Sequence, residues 1–321
     1  MTDEFQASSP SAVPVKPKLK PGASVRKFFL TARGKIIALT ACVAVLMLVG
    51  VQQVYSRPMT DTFVRAAASI IPFPAISVDG TTVTLKDFLT EYVALEQYFK
   101  EEKKDGPNGD DLEVAIADTI VNKLAIRQLA QRRGIAVDAV RVEKYYQDVI
   151  ASEESEEMFM RDLKDSFGWS REEFKSRVVE AIVLALQMSE EVLGNQDDQR
   201  GRREIIDTAY ARLKNGEDFA VVAKDVHAGF GGTLQSDLGY VKQSVIPATW
   251  VFAVENLPVG SYTDVLDLPE GFAVFKLEER IVAGEDTQLR LLVVSAPKKT
   301  LEEVVKEHLE DAEVKRYVGE E

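Results

Sequence analysis

The chain has 321 residues with 45% hydrophobic and 28% charged content, enough to bury a core of good size and close in length to two domains. Residues 1 to 35 carry seven basic side chains against Asp3 and Glu4, a net of +5, so the formal charge of −13 leaves −18 on the remainder; a body this acidic argues against nucleic acid as a partner and against docking on anionic lipid. Cys42 is the only cysteine and His227 and His308 the only histidines. A disulfide framework is thereby excluded, and there is little basis for a zinc centre, a thiol nucleophile or a serine triad, so no metal or cofactor is expected.

Residues 1 to 24, with Pro10, Pro14, Pro17 and Pro21 among Ser and Lys, have too little apolar content to pack. We read 1–35 as a disordered basic cytoplasmic tail. From 36 to 55 the run "IIALTACVAVLMLVGVQQVY" is uncharged and about the length that crosses a bilayer as a helix. Its basic upstream flank predicts a single-pass anchor in the cell membrane, N-terminus in the cytoplasm and body outside. Two rivals are weaker. "QQVYSRPM" lacks the small residues that signal peptidase requires, and "LTAC" at Leu39 to Cys42 would place a lipoprotein cysteine inside the apolar run.

Beyond the anchor, "AISVDGTTVTLKDF" predicts two short strands about a turn at Asp79-Gly80, then a helix from about Lys86. The loop "DGPNGDD" lacks the glycine and glutamate of a calcium loop and reads as solvated. Leu112, Ile116, Ile120 and Leu124 recur every four residues in a helix over 111–133, closed by Arg132, Arg133 and Gly134. Further helices follow in "GIAVDAVRVEKYYQDVI", after "SEESEE", and from the capping box Ser170 to Glu173, whose stripe is Phe174, Val178, Ile182 and Leu186.

"GNQDDQRG" at 194–201 reads as a polar linker. Then come a helix stopped at Asn215-Gly216, a second capped by Asp218, and the loop "HAGFGGTLQS", which lacks the strand and lysine of a phosphate-binding loop. "IPATWVFAVENLPVG" is an amphipathic helix ending in a turn. Pro269 and Gly271 suit a type I turn between two antiparallel strands. The second of these, "GFAVFKLEER", sets Phe272 and Val274 on one face and Ala273, Phe275 and Leu277 on the other, so it needs cover on both sides. "QLRLLVVS" at 288–295 is another strand, and Thr300 to Glu303 caps a helix to about Asp311. His308 flanks that helix's stripe of Leu301, Val304, Val305 and Leu309 and reads as a surface or boundary residue. The fold class is α+β.

Two resemblances emerge. "ISVDGTTVTLKDF", "LAIRQLAQRRGIAVDAVRVEKYY" and "LKDSFGWSREEFKSRVVEAIVLALQM" occur in the order and spacing of the N-terminal helical domain of SurA-type and PrsA-type exported foldases. The resemblance implies that 72–193 is a helical cradle for unfolded clients. "LKNGEDFAVVAKD", "DLGYV", "IPATWVFAVENLPVGSYTDVL" and "GFAVFKLEER" resemble the successive blocks of a parvulin (PpiC-type) peptidyl-prolyl cis-trans isomerase. Leu238, Ile246 and Trp250 fall where that family places its proline pocket; a reading of the three as core competes, most strongly for Leu238.

The departures from the family are as informative. Ala273 stands where parvulins carry a histidine, and the groove's cysteine or aspartate position falls near Gly229, with His227 close by. No histidine strand precedes the first helix. "LRLLVV" resembles that missing first strand, with Leu291 at its histidine position. We therefore expect a circularly permuted, four-stranded antiparallel parvulin-like domain over 202–318, its first strand supplied by 288–295; a separate C-terminal appendage is the alternative. The catalytic residues are unassigned, and Leu238, Ile246, Trp250, Ala273 and His227 are the expected substrate-binding set. Prolyl isomerisation needs no nucleophile, metal or cofactor. The resemblance thus implies a membrane-anchored extracytoplasmic isomerase and chaperone for proline-containing exported polypeptides. A non-catalytic holdase or envelope scaffold is the alternative.

Overall fold

A computed structural model describes residues 45, 48–101, 109–232, 234–283 and 286–319. The chain divides into two compact units, 1–70 and 71–321. Most of the expected anchor and all of the basic tail lie outside the described residues. In the first unit 48–55 is helical, and α1 (Thr62–Ile70) follows, with Asp61 accepting the backbone N–H of Phe63 at 2.7 Å. Among the described residues no helix is long and apolar enough to cross a membrane.

The second unit opens with the hairpin β1 (Pro74–Val78) and β2 (Thr81–Thr84). Asp79 and Gly80 both take positive φ, 47° and 78°, as a turn matched to the twist of a hairpin requires. Six helices follow: α2 (Leu85–Glu101), α3 (Gly109–Arg132), α4 (Ala139–Ala151), α5 (Glu156–Phe167), α6 (Arg171–Phe174) and, after a π-helical turn at Lys175–Val179, α7 (Glu180–Gly194). Asp138 and Ser155 cap α4 and α5, and the capping box at Ser170 forms as its sequence predicts.

The expected linker at 194–201 is not one. Asn195 caps α8 (Gln196–Lys214) by accepting from the N–H groups of Asp197 and Asp198, whose charges favour the helix start. After the turn at Gly216, Asp218 caps α9 (Phe219–Ala228). Four antiparallel strands then form one sheet: β3 (Asp237–Lys242), β4 (Leu266–Leu268), β5 (Gly271–Ala283) and β6 (Asp286–Pro297), with α10 (Ala248–Val254) after β3. Their order is β3-β6-β5-β4, which sets β6 between β3 and β5. Residues 284 and 285, between β5 and β6, lie outside the described residues. β5 is covered on both faces, as its alternation requires. Phe272 and Val274 pack with Val294 and Ala296 under α8 and α9, while Ala273, Phe275 and Leu277 pack with Leu289, Leu291 and Val293 on the opposite face. Only glycine fits at 271, because a Cβ there would lie 2.5 Å from the Ala296 carbonyl oxygen.

After β6 the chain leaves this sheet. Helix α11 (Leu301–Asp311) buries Val304 and Val305 against Ala125 and Leu129 of α3 and Leu184 and Met188 of α7. β7 (Val314–Arg316) then pairs antiparallel with β1 on the side away from β2. The body expected over 202–318 is thus cut at Pro297, because the stripe of α11 finds its apolar partner in the helical part. His308, read as a surface or boundary residue, is buried there; it hydrogen-bonds Gln128 at 2.9 Å and meets the Arg132 guanidinium at 3.3 Å. Gln199 joins the two places where the chain crosses between helical part and sheet. Its amide donates to the carbonyls of Val192 and Lys299 and accepts from the Lys299 N–H, at 2.8, 3.0 and 2.8 Å.

Candidate functional site

The sheet face away from α8 and α9 gathers the expected groove residues. Leu238 enters from β3, Ile246 from the turn before α10, and Trp250 from α10 itself, all three half-buried against Ala273, Phe275, Leu277, Leu289 and Leu291. The Trp250 ring lies 4.8 Å from that of Phe275 at 47°, and its indole N–H donates to Glu270 Oε1 at 2.8 Å, in the turn before β5. Helix α10 is short and so needs tethering. Arg280 supplies this from β5 by donating to the carbonyls of Val254 and Leu257, at 2.7 and 3.3 Å, where a cation also suits the helix C-terminus. The free edge of β5 is bound by Thr263, whose N–H donates to the Phe275 carbonyl at 2.8 Å while its hydroxyl accepts the Phe275 N–H at 3.1 Å.

Ala273 is buried at the centre of this face and brings no polar atom to it. Leu291 does not meet it. Register sets Leu291 against Leu277, whereas Ser295 stands directly opposite Ala273. Four residues of strand separate Leu291 from that rung, roughly 13 Å. The register also shifts by one residue at a bulge between Leu277 and Glu279, and a one-residue slip in a strand exchanges the two faces. Counting back from the hairpin brings Ser295 or Ala296 to this rung, and the bulge selects the serine.

His227 is not on a loop. It lies near the end of α9, 3% exposed, and its Nε2 accepts the Ser295 backbone N–H at 3.1 Å. The sheet explains this contact. Val293 donates its N–H to the Ser236 carbonyl on the β3 side, so the N–H of Ser295, two residues on, faces the same way beyond the reach of β3. The imidazole thereby closes a ladder position that would otherwise be orphaned. Because Nε2 accepts that N–H, the proton of the neutral ring belongs on Nδ1; burial pushes the His227 pKa down, with the backbone of Leu234 a smaller opposing influence. Nδ1 has no hydrogen bond of good geometry among the described residues. Gly229 ends α9 and offers no side chain.

Residues 182–279 match the rotamase family, the PPIC-type PPIASE domain. That stretch is similar to a PpiC-type domain. Over 204 residues, 56% of the chain, it is 26% identical to the "Chaperone SurA" of Pseudomonas putida, covering 46% of that protein. It is 32% identical to the "Chaperone SurA" of Pseudomonas aeruginosa over 71 residues, 22% of the chain and 17% of the relative. The chain therefore spans less than half the length of the curated relatives it matches. The resemblance is to parvulin foldases of the SurA/PrsA type. The matched segment ends before β6, the strand that brings Ser295 opposite Ala273.

Proposed function

We propose that the chain is an extracytoplasmic foldase, held at the membrane by 36–55, that binds proline-containing segments of unfolded exported polypeptides on the Leu238, Ile246 and Trp250 face. The single observation that carries this reading is the convergence of those three half-buried side chains, from three separate stretches, on one apolar patch within the domain that matches the rotamase family. The position of β6 between β3 and β5 supports reading the sheet as a circularly permuted parvulin sheet, with its first strand drawn from the end of the domain. The basic flank and uncharged run support the orientation, N-terminus inside and body outside.

Rotation about an X–Pro bond faces a barrier of about 20 kcal/mol, and a site accelerates it only by favouring the twisted imide over the planar one. An apolar seat holds the pyrrolidine ring and excludes water around the imide, which destabilises charge separation in the planar form. Ala273 supplies no hydrogen bond to the rotating carbonyl. We therefore read retention of client as the stronger activity and isomerisation as the weaker one. A purely non-catalytic holdase is the second reading, favoured by the same Ala273.

The test is a proline-peptide exchange measurement on the full chain in detergent micelles, beside a light-scattering assay of an unfolded client. Suppressed aggregation with slow exchange supports the proposal. Exchange at the rate of an ordinary parvulin contradicts the degenerate groove, and failure to suppress aggregation contradicts the chaperone reading.

A further inference from the structure

The groove described above is apolar except at one rung. Ala273 and Ser295 face each other across β5 and β6, and since the Ser295 N–H points to the β3 side, theirs is a rung without mutual backbone hydrogen bonds, where side chains approach most closely. The absence of any register shift between Leu291 and Ser295 leaves the serine side chain on the same face as Leu291 and Val293, the face of Trp250. Ala273 contributes only a methyl group beside it. Ser295 is half-buried, and among the described residues its hydroxyl has one polar neighbour, His227 Nε2 at 3.4 Å. The lone pair of that nitrogen already receives the Ser295 backbone N–H at the shorter distance of 3.1 Å, so the hydroxyl proton is left for another acceptor.

We propose that Ser295 is the peptide-binding donor of this groove, giving its hydroxyl hydrogen bond to a backbone carbonyl of a chain whose proline ring is seated on Leu238, Ile246 and Trp250, with His227 as the positioning residue that holds the end of β6 in place. The inference rests on the groove reading and assigns its polar contact to the rung opposite Ala273. Ser295 touches the ligand. His227, almost fully buried, acts only through Ser295. No bond forms or breaks in this step, and the hydroxyl proton stays on the serine.

The experiment measures binding of an Ala-Leu-Pro-Phe tetrapeptide to the full chain in detergent micelles, with the backbone amide of Ser295 followed by isotope-edited NMR. Loss of a neutral hydrogen bond corresponds to roughly fivefold, so Ser295→Ala should weaken binding about that much with the melting temperature unchanged, and Ser295→Thr should restore it. His227→Phe should weaken binding and move the Ser295 amide in the absence of peptide. Peptide that leaves the Ser295 amide unmoved in the parent chain overturns the proposal. So does full-strength binding by Ser295→Ala when Trp250→Ala has lost it, a result that leaves the groove reading standing. If the parent chain binds no peptide at all, the groove reading falls and this inference falls with it.

Discussion

Trp250 is held on both sides, its ring packed on Phe275 and its indole N–H donating to Glu270. Buried aromatic anchors commonly contribute 2 kcal/mol or more to binding. Trp250→Ala should therefore weaken peptide retention by about thirtyfold, and calorimetric titration of the full chain would check it. Phe275 lies beneath and is fully buried, so Phe275→Ala should destabilise the sheet by about 3–5 kcal/mol, read as a lowered denaturant midpoint. At this scale the sequence was legible wherever a residue's role follows from its own strand. The alternation of "GFAVFKLEER" divided its side chains between two faces correctly, and Leu238, Ile246 and Trp250 share one patch. It was illegible where the role depends on a partner strand. Leu291 matches a family pattern by spacing, yet the bulge after Leu277 sets its register, and Ser295 takes the rung opposite Ala273.

Among the elements, caps and glycine stops were the most readable, because their chemistry is local: Ser170, Asp218 and Thr300 all cap the helices they precede. The stretch 194–201 misled because its polarity resembles a linker, whereas Asn195 caps a helix in which Gln199 is buried. The docking of α11 was equally hidden, since its stripe shows that it must pack but not against what. The consequence is a test by truncation. Removing 298–321 takes α11 from Ala125, Leu129, Leu184 and Met188 and β7 from β1, so it should lower the melting temperature of the helical part and leave the sheet formed. Removing 285–321 also takes β6 from between β3 and β5 and should abolish cooperative melting of the sheet; circular dichroism melts of both truncations would separate the two effects. Acid should loosen the same docking. Burial and Arg132 hold His308 below the ordinary imidazole value, against the smaller opposing pull of Asp79 and Asp311, and burial lowers His227 as well. The unfolded chain then binds protons first as pH falls through about 6.5, so stability is complete above that value and is lost progressively below it. Melting temperature should fall between pH 7 and 5.5, above the range where the depressed carboxylates titrate. His308→Gln should flatten that slope.

For the molecule as a whole, the chain passes from the helical part into the sheet through α8, returns through 298–300, and fastens the two crossings together with Gln199. The helical part and the sheet are thereby joined at two chain crossings. We expect Gln199→Leu, which leaves the carbonyls of Val192 and Lys299 and the N–H of Lys299 without their partner, to cost about 1–3 kcal/mol and to raise hydrogen exchange at Lys299. At this scale the sequence showed the order of the parts and the resemblance of each, while the return of the C-terminal segment to the first hairpin, a pairing across more than two hundred residues, had no local signal. The central claim is that the patch formed by Leu238, Ile246 and Trp250 is a proline-binding groove that retains chains better than it turns them over. The most direct measurement is a titration of the full chain with a proline tetrapeptide, reading saturable binding and cis-trans exchange in the same NMR sample. The account predicts saturable binding that Trp250→Ala removes, with exchange little faster than in free peptide. Absence of saturable binding, or binding that survives Trp250→Ala unchanged, would contradict it.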